Sequence, residues 1–316
     1  MAKANTSKEQ DKIYDLVIVG AGAAGLTAGI YAARYNLDAV VVGPEVGGTA
    51  NLASDIENWP GFKGPGLELM QKFKEHLSSF KVPLFAENVK AIEKKGENFL
   101  VKTEKQAYTG KTVILAMGTK RRKLEVPGED EFAGKGVSYC ATCDAFFFKD
   151  KVAAVVGGSD AAATAAQILS QHCNKVYVIY RGDYMRSEPA RTKALEAQKN
   201  VEFLYKTNVT HILGDTAVRK VKLDNGKELE LDGLFIEVGG IPITALAKEL
   251  GITLAKNERI VVDAGMATNV QGVFAAGDIT TGSNEFNQIV TAAAEGSIAA
   301  LSAFNYVKKR EVKYGN

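Results

Sequence analysis

The sequence predicts an α/β protein with two linked, doubly wound domains. Two observations carry the prediction and a third supports it. Near the N-terminus, YDLVIVGAGAAGLTAGIYAARYN joins an apolar run to a glycine-rich turn and an Ala-rich stretch. The same order returns 137 residues further on, counted from Gly20 to Gly157, as KVAAVVGGSDAAATAAQIL. Near the C-terminus, GVFAAGD again runs an apolar stretch into glycine ahead of an Ala-rich segment.

In the first copy, Leu16 to Val19 reads as a buried parallel strand, and the stretch from Leu26 as a tightly packed helix. Between them, Gly20-Ala21-Gly22-Ala23-Ala24-Gly25 is a complete G-x-G-x-x-G. Gly20 permits the tight turn, Gly22 lets a pyrophosphate approach the backbone, and Gly25 lets helix and strand pack closely. Phosphate charge then meets the free amides at the helix N-terminus. Strand, turn and helix occur together, so this is read as a dinucleotide site.

In the second copy a strand over 152–156 leads into Gly157-Gly158 and an Ala-rich helix. Here Ser159 holds the place of the middle glycine, and its Cβ would crowd an approaching pyrophosphate. In the third segment, Val273 to Ala276 reads as a short strand ending at Gly277-Asp278. An aspartate in that position can accept from a ribose or ribityl hydroxyl, or can simply cap the helix that follows.

Length and charge narrow the function. The chain has 316 residues, enough for two domains with their own cores. A formal net charge of +2 gives no argument for nucleic acid or a membrane surface. No apolar run approaches the roughly 18 residues that a membrane span needs. The first dozen residues, MAKANTSKEQDK, lack an apolar core and read as a polar arm rather than a signal peptide. Three cysteines, two of them in one CxxC, do not make a disulfide-stapled secreted domain, so a cytoplasmic location is expected.

In that setting a CxxC pair is metal-binding or redox-active. The stretch SYCATCDAF holds the pair, Cys140 and Cys143, with Asp144 directly after it. No metal is expected, because a structural zinc site usually takes four ligands. The remaining candidates are Cys173, His76, His172 and His211, and His172 and Cys173, adjacent near the end of an expected helix, would point in different directions from it. Cys173 reads as a small buried hydrophobe, and the histidines as surface or satisfied core residues.

Together these residues resemble the low-molecular-weight thioredoxin reductases, FAD-dependent flavoproteins that reduce the disulfide of thioredoxin. The likeness covers nearly the whole chain. It rests on the Gly20 motif, Gly47-Gly48, IENWPGF at 56–62, AMGT at 116–119, CATCD at 140–144 and GVFAAGD at 272–278. It implies two Rossmann-type, dinucleotide-binding-like domains, the second inserted in the first. The FAD-binding domain would comprise residues 1–120 and 243–316. The inserted NAD(P)H-binding-like domain, 121–242, would carry the redox CxxC. A homodimer is also implied. By the resemblance, Gly20, Gly22, Ala23, Ala24 and Gly25 cradle the FAD pyrophosphate, and Gly47, Gly48 and Asn58 lie toward the flavin. Ala116, Gly118 and Gly277 belong to the same site, Asp278 holds the ribityl chain, and Asn287, Gln288 and Ile289 border the isoalloxazine.

The resemblance also distributes the chemistry. Cys143 faces the flavin and Cys140 attacks the substrate disulfide through a mixed disulfide, which needs a thiolate attacker and an accessible sulfur. Asp144 is the general acid for the departing thiolate, which asks for a carboxyl kept partly protonated by a buried setting. Its alternative role is a helix cap. One dithiol cannot touch a flavin and a bulky protein disulfide at once. The family rotates its inserted domain, so residues at both chain crossings should matter. No His follows position 211, which excludes a C-terminal histidine base from a partner subunit.

The electron donor is read from departures. Relatives hold NADPH with GxGxxA and an HRRxxxR box, whose arginines grip the 2′-phosphate. Here that box is Tyr180-Arg181-Gly182-Asp183-Tyr184-Met185-Arg186. Thr164 and Ala165 stand where relatives have glutamates, and Asn287 where Arg is common. The second nucleotide site, with Gly157, Gly158, Ser159, Arg181 and Arg186, therefore reads as degenerate, and reduced ferredoxin becomes the expected donor in place of NADPH. Lys120-Arg121-Arg122-Lys123 puts four positive charges on one crossing, where they could steer an acidic ferredoxin or simply be solvated. The FAD side departs too. Gly43 ends the second strand, where many such folds place a ribose-binding Glu, and Thr49 follows the Gly pair where Gln is common.

The expected function is thus thioredoxin-disulfide reduction, with thioredoxin or a glutaredoxin-like protein as partner. The alternatives are a conventional NAD(P)H-dependent reductase, a flavin-dependent dithiol oxidase and a ferredoxin–NADP reductase-like protein. Cys140 and Cys143 count against the last.

Overall fold

The computed structural model describes residues 12–53 and 56–314, so the polar arm lies outside the described residues except for Lys12. The chain separates into two compact units, Met1–Thr119 with Pro242–Asn316, and Lys120–Ile241. No helix among the described residues is long and apolar enough to cross a membrane.

The first unit is built on a seven-stranded sheet. Strand Ile13–Val19 runs parallel between Ala39–Val42 and Ala107–Leu115. Leu84–Phe85 extends the sheet beyond Ala39–Val42, and Val273–Ala275 also pairs with Ala107–Leu115, both in parallel. An antiparallel pair, Val89–Lys95 and Asn98–Thr103, completes the other side. Leu16 and Ile18 point into one core, shared with helices Ala23–Arg34, Gly66–Ser79 and Ile289–Tyr314. Val17 and Val19 point into the opposite core with Ile92 and Phe99. Both faces of the strand are covered, which is why its sequence does not alternate with polar residues.

The second unit repeats the plan with five parallel strands, in the order Val137–Ser138, Gly233–Ile236, Val152–Val156, Lys175–Tyr180 and Val201–Tyr205. Ala153 and Val155 face one core, Ala154 and Val156 the other. A three-stranded antiparallel sheet, Val209–Gly214, Val218–Leu223 and Glu228–Glu230, completes the unit. The mixed architecture is the α/β fold the sequence predicts.

Helix Ile289–Tyr314 lies against helix Ala23–Arg34 at backbone distance. A Cβ on Gly296 would stand 2.2 Å from the Ala24 carbonyl oxygen. Gly296→Ala must therefore push the two helices apart. The expected loss is about 2 kcal/mol of unfolding free energy, the usual scale of overpacking. A urea midpoint equal to that of the parent would contradict this packing.

Candidate active site

The first glycine turn divides its labour as the motif requires. Gly20 has φ of 116°, and a Cβ there would sit 2.1 Å from the Ala116 carbonyl oxygen. A Cβ on Gly25 would sit 1.9 Å from the Gly20 oxygen. Gly22 differs, because its nearest neighbour would be the Gly47 oxygen at 3.9 Å. Two glycines thus serve close packing, and the middle one leaves room for a ligand. The Gly47 amide donates to the Ala21 carbonyl at 2.7 Å, which brings the Gly47-Gly48 pair to the same turn.

Gly43 has a steric explanation. A Cβ at this strand end would approach the Ala21 nitrogen to 2.6 Å, so the turn itself excludes an acid there. Glu45, two residues on, is exposed.

The flavin-side residues gather in the same unit. Asn58 Nδ2 donates to Gln288 Oε1 at 2.7 Å, joining two positions 230 apart in sequence. Gly118 is open on its Cβ side, and Ile289 begins the last helix. The Gly277 amide donates to the buried Glu295 carboxylate at 2.8 Å. Burial pushes the carboxyl of Asp278 above the usual carboxylate range; Arg259 opposes this shift and Glu295 adds to it. Asn51 Oδ1 and Thr27 Oγ1 are buried with no hydrogen-bond partner among the described residues. Native proteins rarely leave such atoms unpaired. The open Gly22, the unpaired Asn51 oxygen and the acid at 278 form a donor and acceptor set that fits a ligand rich in phosphate and hydroxyl groups, as FAD is.

The cysteines belong to the second unit. Cys140 and Cys143 form a disulfide with Cα atoms 5.3 Å apart. Cys140 caps the short helix Ala141–Asp144, and the Cys143 amide points at Cys140 Sγ from 3.2 Å. The Ser138 hydroxyl donates to Asp144 Oδ2 at 2.6 Å and accepts the Cys140 amide at 3.0 Å. Asp144 is half-buried rather than buried, and this serine is its partner. Tyr139, directly before the pair, donates to the buried Glu129 at 2.7 Å. Phe146 and Phe147, just after Asp144, are 72% and 68% exposed.

The second glycine turn keeps its skeleton and carries an aromatic ring against it. Gly157 retains a tight fit, since a Cβ there would meet the Glu237 oxygen at 2.3 Å. Over the turn lies the Tyr180 ring, whose atoms would be 2.5 Å from a Cβ on Gly158 and 2.6 Å from one on Gly182. Arg186 places its guanidinium 5.8 Å from the ring centroid, and its amide donates to the Gly158 carbonyl at 2.6 Å. Register aligns the two turns. Gly20 donates to Val42 and Gly157 to Ile179, so Tyr180 occupies the strand-end position that Gly43 holds in the first unit.

A model of the pyridine nucleotide-disulphide oxidoreductases matches residues 14–296. A thioredoxin reductase of Treponema pallidum is 38% identical over 302 residues, 93% of this chain and 97% of that protein. The chain belongs to the thioredoxin reductase family. Among solved structures, Lactococcus lactis thioredoxin reductase covers 94% of this chain and 99% of its own, with TM-score 0.89 at 34% identity. A ferredoxin-flavin thioredoxin reductase from Clostridium acetobutylicum is 31% identical, covering 95% and 99% of the two chains with TM-score 0.53.

Several parts of this family member's site were not visible in the sequence. Ser138, Glu129, Arg259 and Glu295 act through contacts that no local motif announces. The phenylalanines after CATCD could have been flagged, because adjacent aromatics seldom stand exposed together. The Lys120–Lys123 run is less free than its charge suggests: Arg121 pairs with Glu237 at 3.2 Å and Lys123 with Asp130 at 2.5 Å. Burial pushes the Glu237 carboxyl up, and Arg121 opposes that shift.

Cys173 packs in the second unit's core and donates to the Phe148 carbonyl at 3.3 Å. Burial raises its thiol to about 11. A raised thiol pKa keeps the nucleophilic thiolate scarce at any lower pH. At pH 8, iodoacetamide should therefore leave the oxidised protein unlabelled, and prior reduction should expose two reactive thiols per chain. A third thiol reacting at the same pace would contradict this assignment.

Proposed function

We propose that the chain is a cytoplasmic flavoprotein that reduces the disulfide of thioredoxin or a glutaredoxin-like protein, with reduced ferredoxin rather than NADPH as its electron donor. The donor reading rests on Ser159 at the middle position of the second turn, with the Tyr180 ring packed on the neighbouring Gly158 and on Gly182. Similarity to a ferredoxin-flavin thioredoxin reductase supports it. Lys120, Arg122 and Lys123 are exposed, Lys123 in a pair with Asp130, and Lys120 and Arg122 would face an acidic donor. Reversing Arg121 would be a poor probe of such docking, since it strands the half-buried Glu237 without its cation. Gly157 and Ala162 still pack as in a working nucleotide turn, which keeps NADPH as the second reading.

FAD, held by the Gly20–Gly25 turn, Asn51, Asn58, Asp278 and Gln288, supplies two-electron storage that the polypeptide lacks. The protein's own groups do the rest. Reduced Cys140 attacks one sulfur of the partner's disulfide, and the other leaves as a thiolate, with Asp144 beside the pair assigned to relay the proton it takes up. Cys143 then attacks Cys140 and expels the second sulfur, which re-forms the 140–143 disulfide and transfers two electrons. The Cys143 amide aimed at Cys140 Sγ supports this order, because an N–H stabilises negative charge on the attacking sulfur. Ile298 and Leu301, exposed one helical turn apart on the last helix, are assigned to contact with a second copy.

The decisive measurement is an anaerobic titration of the FAD-loaded protein with NADPH, NADH and reduced ferredoxin in parallel. Ferredoxin should bleach the flavin band within the turnover time, and NADPH should leave it largely oxidised. Rapid bleaching by NADPH would return the chain to the conventional class. The partner reading has its own test. Replacing Phe146 and Phe147 by Ala should raise KM for thioredoxin about tenfold, the scale of losing an exposed aromatic anchor, and should spare reduction of a small aromatic disulfide. Equal losses on both substrates would assign the rings a structural role.

A further inference from the structure

The segment that carries Asp278 and Gln288 is held in an unusual way. Ser283, Asn284 and Glu285 follow one another at φ of 47°, 52° and 59°. Non-glycine residues adopt that left-handed conformation only at a cost, and a run of three persists only where the surroundings fix it. One side chain reaches both flanks of the run. Arg259, 9% exposed, donates through Nη1 to the Asp278 carbonyl and, at 3.3 Å, to the Thr280 carbonyl on the near side. On the far side the same nitrogen reaches Asn287 Oδ1 at 3.2 Å, and Nε lies 3.6 Å from the Glu285 carboxylate. Asn257, two residues before Arg259, donates to Glu285 at 2.8 Å.

A second buried group holds the loop's opposite face. Glu295, 3% exposed, accepts the Gly277 amide at 2.8 Å and the Thr280 hydroxyl at 3.0 Å. Asp278 thus sits between a buried cation from the 257–260 turn and a buried anion from the last helix. From the first helix, Ala24 faces the neighbouring Gly277. Among the described residues no hydrogen-bond donor reaches the Asp278 carboxylate, so the loop presents an acceptor that its own chain does not satisfy.

We propose that Arg259 is a positioning residue for the cofactor: it locks the strained 278–287 loop so that the Asp278 carboxylate is presented to the hydroxyls of bound FAD. The proposal rests on the FAD reading above. Without the guanidinium the left-handed run relaxes, and Asp278 is left with its burial and the repulsion of Glu295, both of which favour the protonated form. Its carboxyl then takes up a proton at higher pH than in the parent. Affinity for FAD should fall, and the remaining affinity should weaken further as pH drops.

The test is FAD binding to full-length apoprotein, followed by fluorescence quenching across pH 5 to 8. Arg259→Met should weaken FAD at least tenfold at pH 7, and its affinity should begin to fall at higher pH than the parent's. Arg259→Lys keeps the cation but loses the planar fork. It should weaken FAD by less and keep the parent's pH profile. An Arg259→Met protein with parental affinity and parental pH profile overturns the proposal. If that variant does not fold, Glu285→Ala cuts the tether from the exposed side and should weaken FAD about fivefold; parental affinity there overturns the proposal equally. Parent apoprotein that takes up no FAD defeats the FAD reading itself, a result distinct from a parent and variant that bind alike.

Discussion

The structure of the first unit depends on backbones that touch where side chains would otherwise stand. Gly20 meets Ala116, Gly25 meets Gly20, Gly43 meets Ala21, and Gly296 meets Ala24, each within a distance that no methyl group could occupy. These contacts draw the strand, the turn and two helices together at the carboxyl end of the sheet, where doubly wound folds bind their ligands. Gly22 is the exception in this crowd, and its openness gives the site its access. The Ala-rich helices follow from the same demand, because larger side chains would hold the elements apart.

The second unit solves a different problem with local means. Cys140, Cys143 and Asp144 share one turn of chain, so their mutual placement needs little tertiary support. What tertiary structure adds is orientation. Ser138, on an edge strand, holds both the acid and the amide of Cys140, and Glu129 holds the neighbouring tyrosine. Glu129 also accepts the amides of Leu124 and Glu125, which ties the segment just after the chain crossing to the redox pair. The Cys140–Cys143 disulfide is thus carried on a firm footing, with two exposed aromatic rings beside it.

Much of this was legible in the sequence, and the division has a physical cause. Glycine turns between an apolar run and an Ala-rich stretch are local, so their residues announce themselves. The CxxC and its following acid are local too. What could not be read were partnerships between distant residues. Arg259 reads as an ordinary surface cation until the chain brings carbonyls of 278 and 280 to it. Lys120 to Lys123 reads as four free charges until Glu237 and Asp130 arrive from elsewhere. The expectation of a buried Asp144 failed for a related reason: its hydroxyl partner, Ser138, lies six residues before it, and nothing in the pattern tells how much of the acid the fold will cover.

The contrast between the two glycine turns carries the argument for the donor further than motif counting does. Counting losses in the HRRxxxR box treats the second site as merely weakened, since each missing arginine removes one phosphate contact. The strand-end position says something stronger. In both units the residue after the second strand's last pairing with the first strand lies against the second residue of the glycine turn. Where that residue is Gly43, even a methyl group is refused and the turn stays open. Where it is Tyr180, an aromatic ring rests on Gly158, which has no side chain of its own, and Arg186 covers the ring from outside. Bulk has moved from the turn to the strand end, so the ring is accommodated without disturbing the strand–turn–helix frame. The two turns thus share one design, and the strand-end residue against each is a glycine in the first and a tyrosine in the second.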